Sequence, residues 1–360
     1  MLKGDTADVT TAPIVGSRGA VEAWWDRYHG ARSIDGAEFA RPEVVSEVLT
    51  DLAADVLDRL PLPGSGRTTA RFAALTGIGE IDLNLGRLAE AHADAVAILA
   101  ELAPDYPRPA RSLWGVWAAE DPRQRLHAGR DTLGRWSLEG RKGWCSGATG
   151  STHALVTADD GEGSRPFAVE LDQPAVRTDS ARWPSPTLAG ADTRAVEFHG
   201  AVAVPIGAVG SYLTRPGFWH GAAGVAAVWY GGAVAVGRRL LDSSRRRDLP
   251  DIDLAHLGAV DAALTAGRAV LLETARAIDA DPDDRAELGE ARARSTRAVV
   301  EASATEVIDR VGRALGPSPF VTDDRHWRKV ADLQLYLRQS HADRDLAELG
   351  RQLAARGPEW

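Results

Sequence analysis

The amino-acid sequence predicts an α+β protein with a helical domain at each end and a β domain between them. Apolar residues recur at helical spacing in the first third of the chain. Short runs split by glycine, proline and aspartate follow from Leu113, and helical spacing resumes after Pro205. We place the domain limits at residues 1–110, 111–208 and 209–360. The 360 residues, 44% of them hydrophobic, are ample for separate cores.

Composition excludes several classes of protein. A net charge of −9 argues against a general nucleic-acid binder. The single cysteine, Cys145, excludes an intramolecular disulfide and a cysteine metal cluster, and we expect no metal site. No stretch has the uninterrupted apolar length of a membrane span, and the first residues lack the apolar core of a signal peptide. We therefore expect a cytoplasmic protein, not a membrane protein, with a short disordered start.

The N-terminal domain is predicted to be built on two long helices. Val44–Leu60 carries apolar residues close to 3.6 spacing, and Pro61 ends it. Asp82–Leu102 is the second helix, followed by a proline-rich linker. His92 lies on its apolar face, where we expect a packed histidine with satisfied hydrogen bonds.

The middle domain contains the stretch that suggests chemistry, Leu133–Ala158. It predicts two short strands joined by a turn at Glu139–Arg141, then a loop and a third strand at Ala154–Ala158. Trp144 and Ser146 stand two residues apart between glycines, an arrangement that suits a flat polar ring system. The alternative is that Trp144 packs in the core and Ser146 is a turn residue.

The C-terminal domain is predicted to be helical throughout. Phe218–Asp242 is rich in glycine and alanine, which favours a central helix that packs closely against others. Leu254–Ile278 and Arg285–Leu315 are two further helices, and Asp324–Leu353 is predicted as the last.

Two parts of the sequence resemble the acyl-CoA dehydrogenase superfamily. The pattern G-x-x-L-x-G-x-K-x-W-x-T/S of that family is matched by Gly134, Leu138, Gly140, Lys142, Trp144 and Ser146. The last helical region is similar to the family's closing helices, with equivalent residues at Arg325, Arg328 and Tyr336. The resemblance implies an α+β, acyl-CoA dehydrogenase-like fold: an N-terminal helical domain, a middle β-barrel and a C-terminal four-helix bundle.

The resemblance also implies FAD as the cofactor. The family tryptophan packs on the isoalloxazine ring and the hydroxyl residue after it bonds near flavin N5, roles that fall to Trp144 and Ser146. The family strand ending in T-E-P lines the flavin mostly through its backbone. Ala118 and Ala119 stand there in this sequence, Ala119 near the place of the threonine.

A further cofactor contact is implied between subunits. An arginine of the family binds the cofactor pyrophosphate of a neighbouring subunit, and both Arg246 and Arg247 fit that position. The alternative is that these arginines form a basic helix C-terminus, which the helix dipole favours. The resemblance implies a homodimer or a homotetramer.

The family's catalytic glutamate is absent, because Leu337 stands in its place. His341 and His220 lie near the two positions where the family carries its base. An imidazole, with an ordinary pKa of about 6.5, is suited to proton transfer at neutral pH. The alternatives are that His341 pairs with Asp345 or Asp343 and that His220 packs at the helix start.

The function that the resemblance implies is FAD-dependent oxidation of an acyl thioester or a related small-molecule substrate. Flavin-dependent monooxygenases of the same fold also lack the glutamate, so monooxygenation is the first alternative. A degenerate, flavin-free partner subunit or scaffold is the second.

Overall fold

The computed structural model describes residues 15–32, 36–121, 124–181, 183–246 and 248–357. The described N-terminal part contains four α-helices: α1 (Val15–Arg32), α2 (Pro42–Asp55), α3 (Thr68–Ile81) and α4 (Leu83–Leu102). The start of α4 matches the sequence prediction because Asp82 is its N-cap. The Asp82 carboxylate accepts hydrogen bonds from the backbone amides of Asn84 and Leu85, at 2.7 and 3.2 Å.

The N-terminal domain departs from the prediction in two places. The helix predicted over Val44–Leu60 ends at Asp55 and is followed by a single 3₁₀ turn. Helix α1 is not predicted at all, although its Trp24 is buried and donates a hydrogen bond to Asp51 at 2.9 Å. The predicted disordered start lies before residue 15, outside the described residues.

The middle domain is a β-barrel, as predicted. Its strands are β1 (Trp114–Trp117), β2 (Leu126–Arg130), β3 (Trp136–Cys145), β4 (His153–Asp159), β5 (Ser164–Glu170), β6 (Val176–Thr178) and β7 (Arg194–Pro205). Antiparallel pairs β2–β3, β3–β7, β7–β5 and β5–β4 and a parallel bridge between β4 and β2 close a ring. Strand β1 pairs in parallel with β4, and β6 pairs with β7.

The hairpin predicted at Glu139–Arg141 is wrong, since β3 runs through it without a turn. The register of β3 against β7 shifts between Leu138 and Glu139. Gly140 follows with a φ of 121°, and a side chain there would collide with the carbonyl oxygen of Arg125. Glycine is therefore needed here for a strand irregularity and for the close approach of the segment at Arg125, and not for a hairpin.

The C-terminal domain is a four-helix bundle. Its helices are α5 (Ser211–Thr214), α6 (Pro216–Arg246), α7 (Asp251–Ala280), α8 (Gly289–Leu315), α9 (Ser318–Thr322), α10 (Asp324–Leu337) and α11 (Asp343–Arg356). Helices α6, α7, α8 and α10 form the bundle. The glycine- and alanine-rich α6 is central, as predicted, and it also packs against α3 and α4.

The last helix is two helices and not one. Helix α10 ends at Leu337, and α11 begins at Asp343 after a turn in which Ala342 has a φ of 44°. His341 therefore lies in the turn after α10 and not on the helix that carries Leu337.

Among the described helices, α7 alone is long and apolar enough, by length and composition, to cross a membrane. Its packing against α6 and α8 is that of a bundle helix.

A buried polar network joins the three parts of the fold. Asn84 of α4 donates to the carboxylates of Asp82 and Asp332, each at 3.1 Å, and Asp332 belongs to α10. The loop before β7 completes the network through two backbone amides: Leu188 donates to Asp332 at 2.7 Å and Ala191 donates to Asn84 at 3.2 Å. One loop of the barrel is thus fixed to both helical parts.

Candidate functional site

Trp144 lies at an irregularity near the end of β3. The register of β3 against β7 shifts between Lys142 and Cys145. Trp144 has a φ of 61° there and is 57% exposed. Bulky residues rarely adopt this left-handed conformation, which costs on the order of 1–3 kcal/mol. The alternative that Trp144 packs in the core is wrong, because its indole faces solvent.

The exposed indole contacts one aromatic ring, and a pair of hydroxyl groups lies at the turn that follows it. The ring of Trp183 meets that of Trp144 edge-on, with 6.2 Å between centroids. Ser146 is buried at the turn that follows β3, and its hydroxyl lies 3.0 Å from the hydroxyl of Thr193. Either hydroxyl can donate in this pair, so one of them keeps a proton that it can offer to a ligand acceptor.

The end of β1 lies against the same turn. Trp117, the last residue of β1, donates from its indole nitrogen to the carbonyl oxygen of Ser146 at 3.0 Å. Ala118 and Ala119 follow it directly and are half-buried and exposed, respectively. Their side chains carry no polar group, so any hydrogen bond from this segment to a ligand has to come from the backbone.

A charged anchor holds the loop that carries Thr193. The Asp192 carboxylate accepts hydrogen bonds from the amide and the hydroxyl of Thr149, at 3.0 and 2.5 Å, and from Arg194 at 2.6 Å. Thr193 was not predicted as a site residue from the sequence. Its position directly before β7 was the available signal, but its pairing with Ser146 depends on the fold.

Arg246 lies in the last turn of α6, on the surface. It lines a cleft of about 380 Å³ together with Arg238, Arg239, Arg325 and Lys329, into which Glu80, Asp242 and Asp323 also project. This cationic cleft suits a phosphate group. Arg247 lies outside the described residues.

His220 is buried near the start of α6, and its Nε2 has no hydrogen-bond partner among the described residues. Burial lowers the pKa of its imidazole. It lines a cavity of about 290 Å³ beside Glu101, near the end of α4. The turn after β3 packs instead on Leu88, which lies about 20 Å earlier along the same helix.

His341 lies in the turn between α10 and α11, and 73% of its side chain is exposed. Its Nδ1 is 3.7 Å from the carboxylate of Asp345, the contact expected of an ion-pair partner. Leu337 is 1% exposed and presents no group that can take a proton.

The structure thus brings together four of the residues predicted from sequence: Trp144, Ser146, Ala118 and Ala119. Within the described ranges, His220, His341 and Arg246 make no hydrogen bond or ion pair with these four. His92 is the satisfied histidine that the sequence predicts, since its Nδ1 accepts from the Trp114 amide at 3.2 Å. Its Nε2 lies 3.4 Å from Asp58.

No family model matches the chain, and no curated protein matches it either. Solved structures do. KijD3, in complex with FMN and a dTDP-linked amino sugar, superposes with a TM-score of 0.78 at 18% identity, covering 96% of this chain and 95% of its own. The dibenzothiophene monooxygenase TdsC from Paenibacillus sp. A11-2 superposes with a TM-score of 0.75 at 19% identity, covering 96% of this chain and 98% of its own. A steroid acyl-CoA dehydrogenase variant, Tcur3481-Tcur3483, superposes with a TM-score of 0.73 at 18% identity, covering 95% of this chain and 98% of its own.

Proposed function

We propose that this chain, whose fold is that of the acyl-CoA dehydrogenases, is an enzyme that binds a flavin against Trp144. The observation that carries the proposal is the indole itself. A large aromatic side chain held in a costly backbone conformation, with its ring toward solvent, is poorly explained by packing. A flat, partly polar ring stacked on it would bury that surface.

The surrounding residues suit the edges of such a ring. The Ser146 hydroxyl can hydrogen-bond to a ring nitrogen, and the backbone at Ala118 and Ala119 can reach another edge. When bound, a flavin supplies the means to accept or deliver two electrons. The chain's own part is to hold the ring, direct hydrogen bonds to it and exclude water from one face.

The identity of the flavin is a finer proposal. The sequence favours FAD, whereas two structures of similar fold, those of KijD3 and TdsC, contain FMN. The two flavins differ by an adenosine monophosphate unit. Arg246 would contact the flavin phosphates of a second copy of the chain, because its cleft carries several cations.

Of the two flavin chemistries, oxygen transfer has a specific observation in its favour. Oxidation of an acyl thioester requires a base for the α-proton, and the side chain at that position is the buried Leu337. A flavin monooxygenase, which uses two electrons from reduced flavin to pass one atom of O₂ to its substrate and the other to water, does not need that carboxylate. Acyl thioester oxidation would require His341 or His220 to approach the substrate.

Titration of the purified protein with FMN and with FAD, followed by flavin absorbance and fluorescence, tests the proposal. We expect one flavin per chain. Trp144→Ala should weaken binding by roughly fivefold or more, since stacking contributes about 1 kcal/mol beyond burial. Trp327→Ala, on α10, is the matched control and should bind normally. If the wild type takes up neither flavin, the scaffold alternative is correct.

A further inference from the structure

The cavity of about 290 Å³ that His220 lines is formed by four segments of the chain. They are the end of α4, the start of α6, the turn at 62–63 and the turn that follows α7. Its volume is about twice the roughly 150 Å³ that suffices for a benzene ring in a protein interior. Aliphatic side chains form most of its walls: Leu62, Pro63, Ala97, Ala100, Pro216 and Pro282.

The two turns at this cavity are held in place by carboxylates at the end of α7. Asp279 accepts hydrogen bonds from the backbone amides of Gly66 and Thr68, at 3.0 and 2.9 Å. Asp281 accepts from the amides of Arg285 and Ala286, at 2.9 and 3.0 Å. The cavity therefore exists before any ligand arrives, as is usual for small-molecule sites.

The charged side chains at the cavity already have partners of opposite charge. The guanidinium of Arg215 is 2% exposed and contacts Glu101 at 2.8 Å and Asp94 at 3.3 Å. Asp283 accepts a hydrogen bond from Arg285 at 2.8 Å. A charged ligand would have to displace one of these pairs or remain buried without a counter-charge, and both are costly.

Two nitrogen atoms of the lining residues lack a partner within the described parts of the chain. They are Nε2 of His220 and Nε of Arg215. His220 is 3% exposed, and burial lowers the pKa of its imidazole, so the ring is neutral at pH 7. Buried polar groups are nearly always satisfied, so the two atoms indicate a polar partner that the chain itself does not supply.

The chemistry of these two nitrogens favours a hydroxyl group as that partner. Arg215 Nε can only donate, whereas a neutral imidazole nitrogen donates or accepts according to its tautomer. A hydroxyl group both donates and accepts, so it suits either atom. An ammonium group offers no lone pair to Arg215, and a carboxylate would be repelled by Glu101.

We propose that this cavity binds a small apolar alcohol or phenol, with the ligand hydroxyl hydrogen-bonded to the imidazole of His220. The aliphatic walls cover the apolar part of the ligand. Glu101 lies about 20 Å along α4 from Leu88, on which the turn after β3 packs, so the cavity is separate from the flavin site at Trp144. The inference goes beyond the proposed flavin-dependent function and does not require a bound flavin.

Calorimetric titration of the purified chain with 4-methylphenol and with toluene tests the inference, because the two molecules differ only by the hydroxyl group. We expect one 4-methylphenol per chain and about fivefold weaker binding of toluene, the loss expected for one hydrogen bond between neutral groups. The charged analogues 4-methylbenzoate and 4-methylbenzylamine should bind at least tenfold more weakly than 4-methylphenol.

Two variants locate the site. His220→Leu should abolish the preference for 4-methylphenol over toluene, and it should be as resistant to urea as the wild type because it removes a buried nitrogen without a partner. Ala100→Phe, at an exposed position on the wall of the cavity, should weaken 4-methylphenol binding at least tenfold by filling the space. It gives the answer even where the His220 variant does not fold.

The matched control is His326→Leu. His326 of α10 is also buried with an unpartnered Nε2 within the described residues, but it does not line this cavity. The control should bind 4-methylphenol as the wild type does. Equal affinity of the wild type for toluene and 4-methylphenol, tighter binding of a charged analogue, or binding unaffected by Ala100→Phe would each overturn the inference.

Discussion

Trp144 and Asp332 are single residues that destabilise the fold, the first through its backbone conformation and the second through burial of its carboxyl group. The first is an exposed aromatic residue with a positive φ, and the second is a buried acid beside another acid. Costs of this kind persist where the surrounding structure maintains them, and they often mark sites with a role beyond stability.

Replacement of Trp144 by glycine separates strain from packing. Trp144→Gly should leave the free energy of unfolding unchanged or raise it by up to about 1 kcal/mol, because it removes the left-handed strain of a bulky residue at a small cost in backbone entropy. Urea denaturation measures the change. A loss above about 2 kcal/mol would mean that the indole packs more firmly than its exposure indicates.

Asp332 makes the stability of the fold sensitive to pH. Burial raises its pKa to about 7 and that of Asp82 to about 6, against the opposing effect of the Leu188 amide and Asn84. A raised carboxyl pKa means that the native state binds the proton more tightly than the unfolded chain. Its contribution is complete below about pH 4 and is lost as the pH rises through 7.

We therefore expect Asp332→Asn to flatten the fall in stability between pH 5.5 and 8.0. Each unit of pKa shift corresponds to about 1.4 kcal/mol, so the wild-type contribution is on the order of a few kcal/mol. Urea unfolding at the two pH values gives the difference. Equal slopes for the variant and the wild type would show that Asp332 is not the titrating group.

At the scale of elements, the crossing of α3 and α6 depends on glycine. A side chain at Gly231 of α6 would collide with the carbonyl oxygen of Thr76, and one at Gly79 of α3 would collide with that of Val228. Neither obstacle is a side chain that can rotate away, so the helices approach at backbone distance.

Gly231→Ala should accordingly destabilise the fold by about 1–3 kcal/mol, the usual cost of overpacking a core. Gly350→Ala is the matched control, because this helical glycine of α11 has nothing within 4 Å of its would-be side chain. It should stabilise the fold by up to about 1 kcal/mol through helix propensity. Thermal denaturation gives the change in melting temperature for each variant. Equal changes in the two variants would contradict the close crossing of α3 and α6.

The ends of the helices differ in how well they could be predicted from the sequence. The start of α4 was predictable, because periodicity and the N-cap Asp82 agree. The break after Leu337 was not, since no glycine or proline stands between 324 and 349. Side chains end the helix instead: Ser340 accepts from the Ala342 amide at 3.2 Å, and Asp345 accepts from the His341 amide at 3.3 Å.

The exposure of the Trp144 side chain could not be predicted either from the alternation of apolar and polar residues along the strand. Alternation assigns side chains to the two faces of a sheet only while the pairing register of the strand stays constant. The register of β3 against β7 shifts twice. The predicted residues Trp144, Ser146, Ala118 and Ala119 nevertheless lie close together, because the end of β1 contacts the turn that follows β3. Thr193 was missed because its partner is 47 residues away in the chain.

For the whole molecule, helix α7 presents a face that no other described part of the chain covers. Its exposed residues include Ile252 and Leu254 and a row of small side chains, Ala255, Gly258, Ala262, Ala266 and Ala269. Small residues at helical spacing allow another helix to approach closely. This face supports the proposal of a homodimer or homotetramer.

Light scattering at micromolar concentration should therefore give a mass at least twice the 38.4 kDa of one chain. Ala262→Arg should lower the mass, because it puts a charge into the small-residue face, whereas Leu133→Arg, in the exposed turn before β3, should not. A wild type that remains a single chain at these concentrations would rule out the assembly.

The network of Asn84, Leu188, Ala191 and Asp332 has a consequence for the order in which the protein matures. Asn84 and Asp332 are 248 residues apart, so the ribosome has released most of the chain before the second of them appears. Helix α4 and the barrel can form earlier, but the loop carrying Thr193 gains its last anchor only when α10 docks. A nascent or truncated chain lacking α10 would hold Trp144 without the fixed loop beside it, so the site is completed only after α10 has been synthesised.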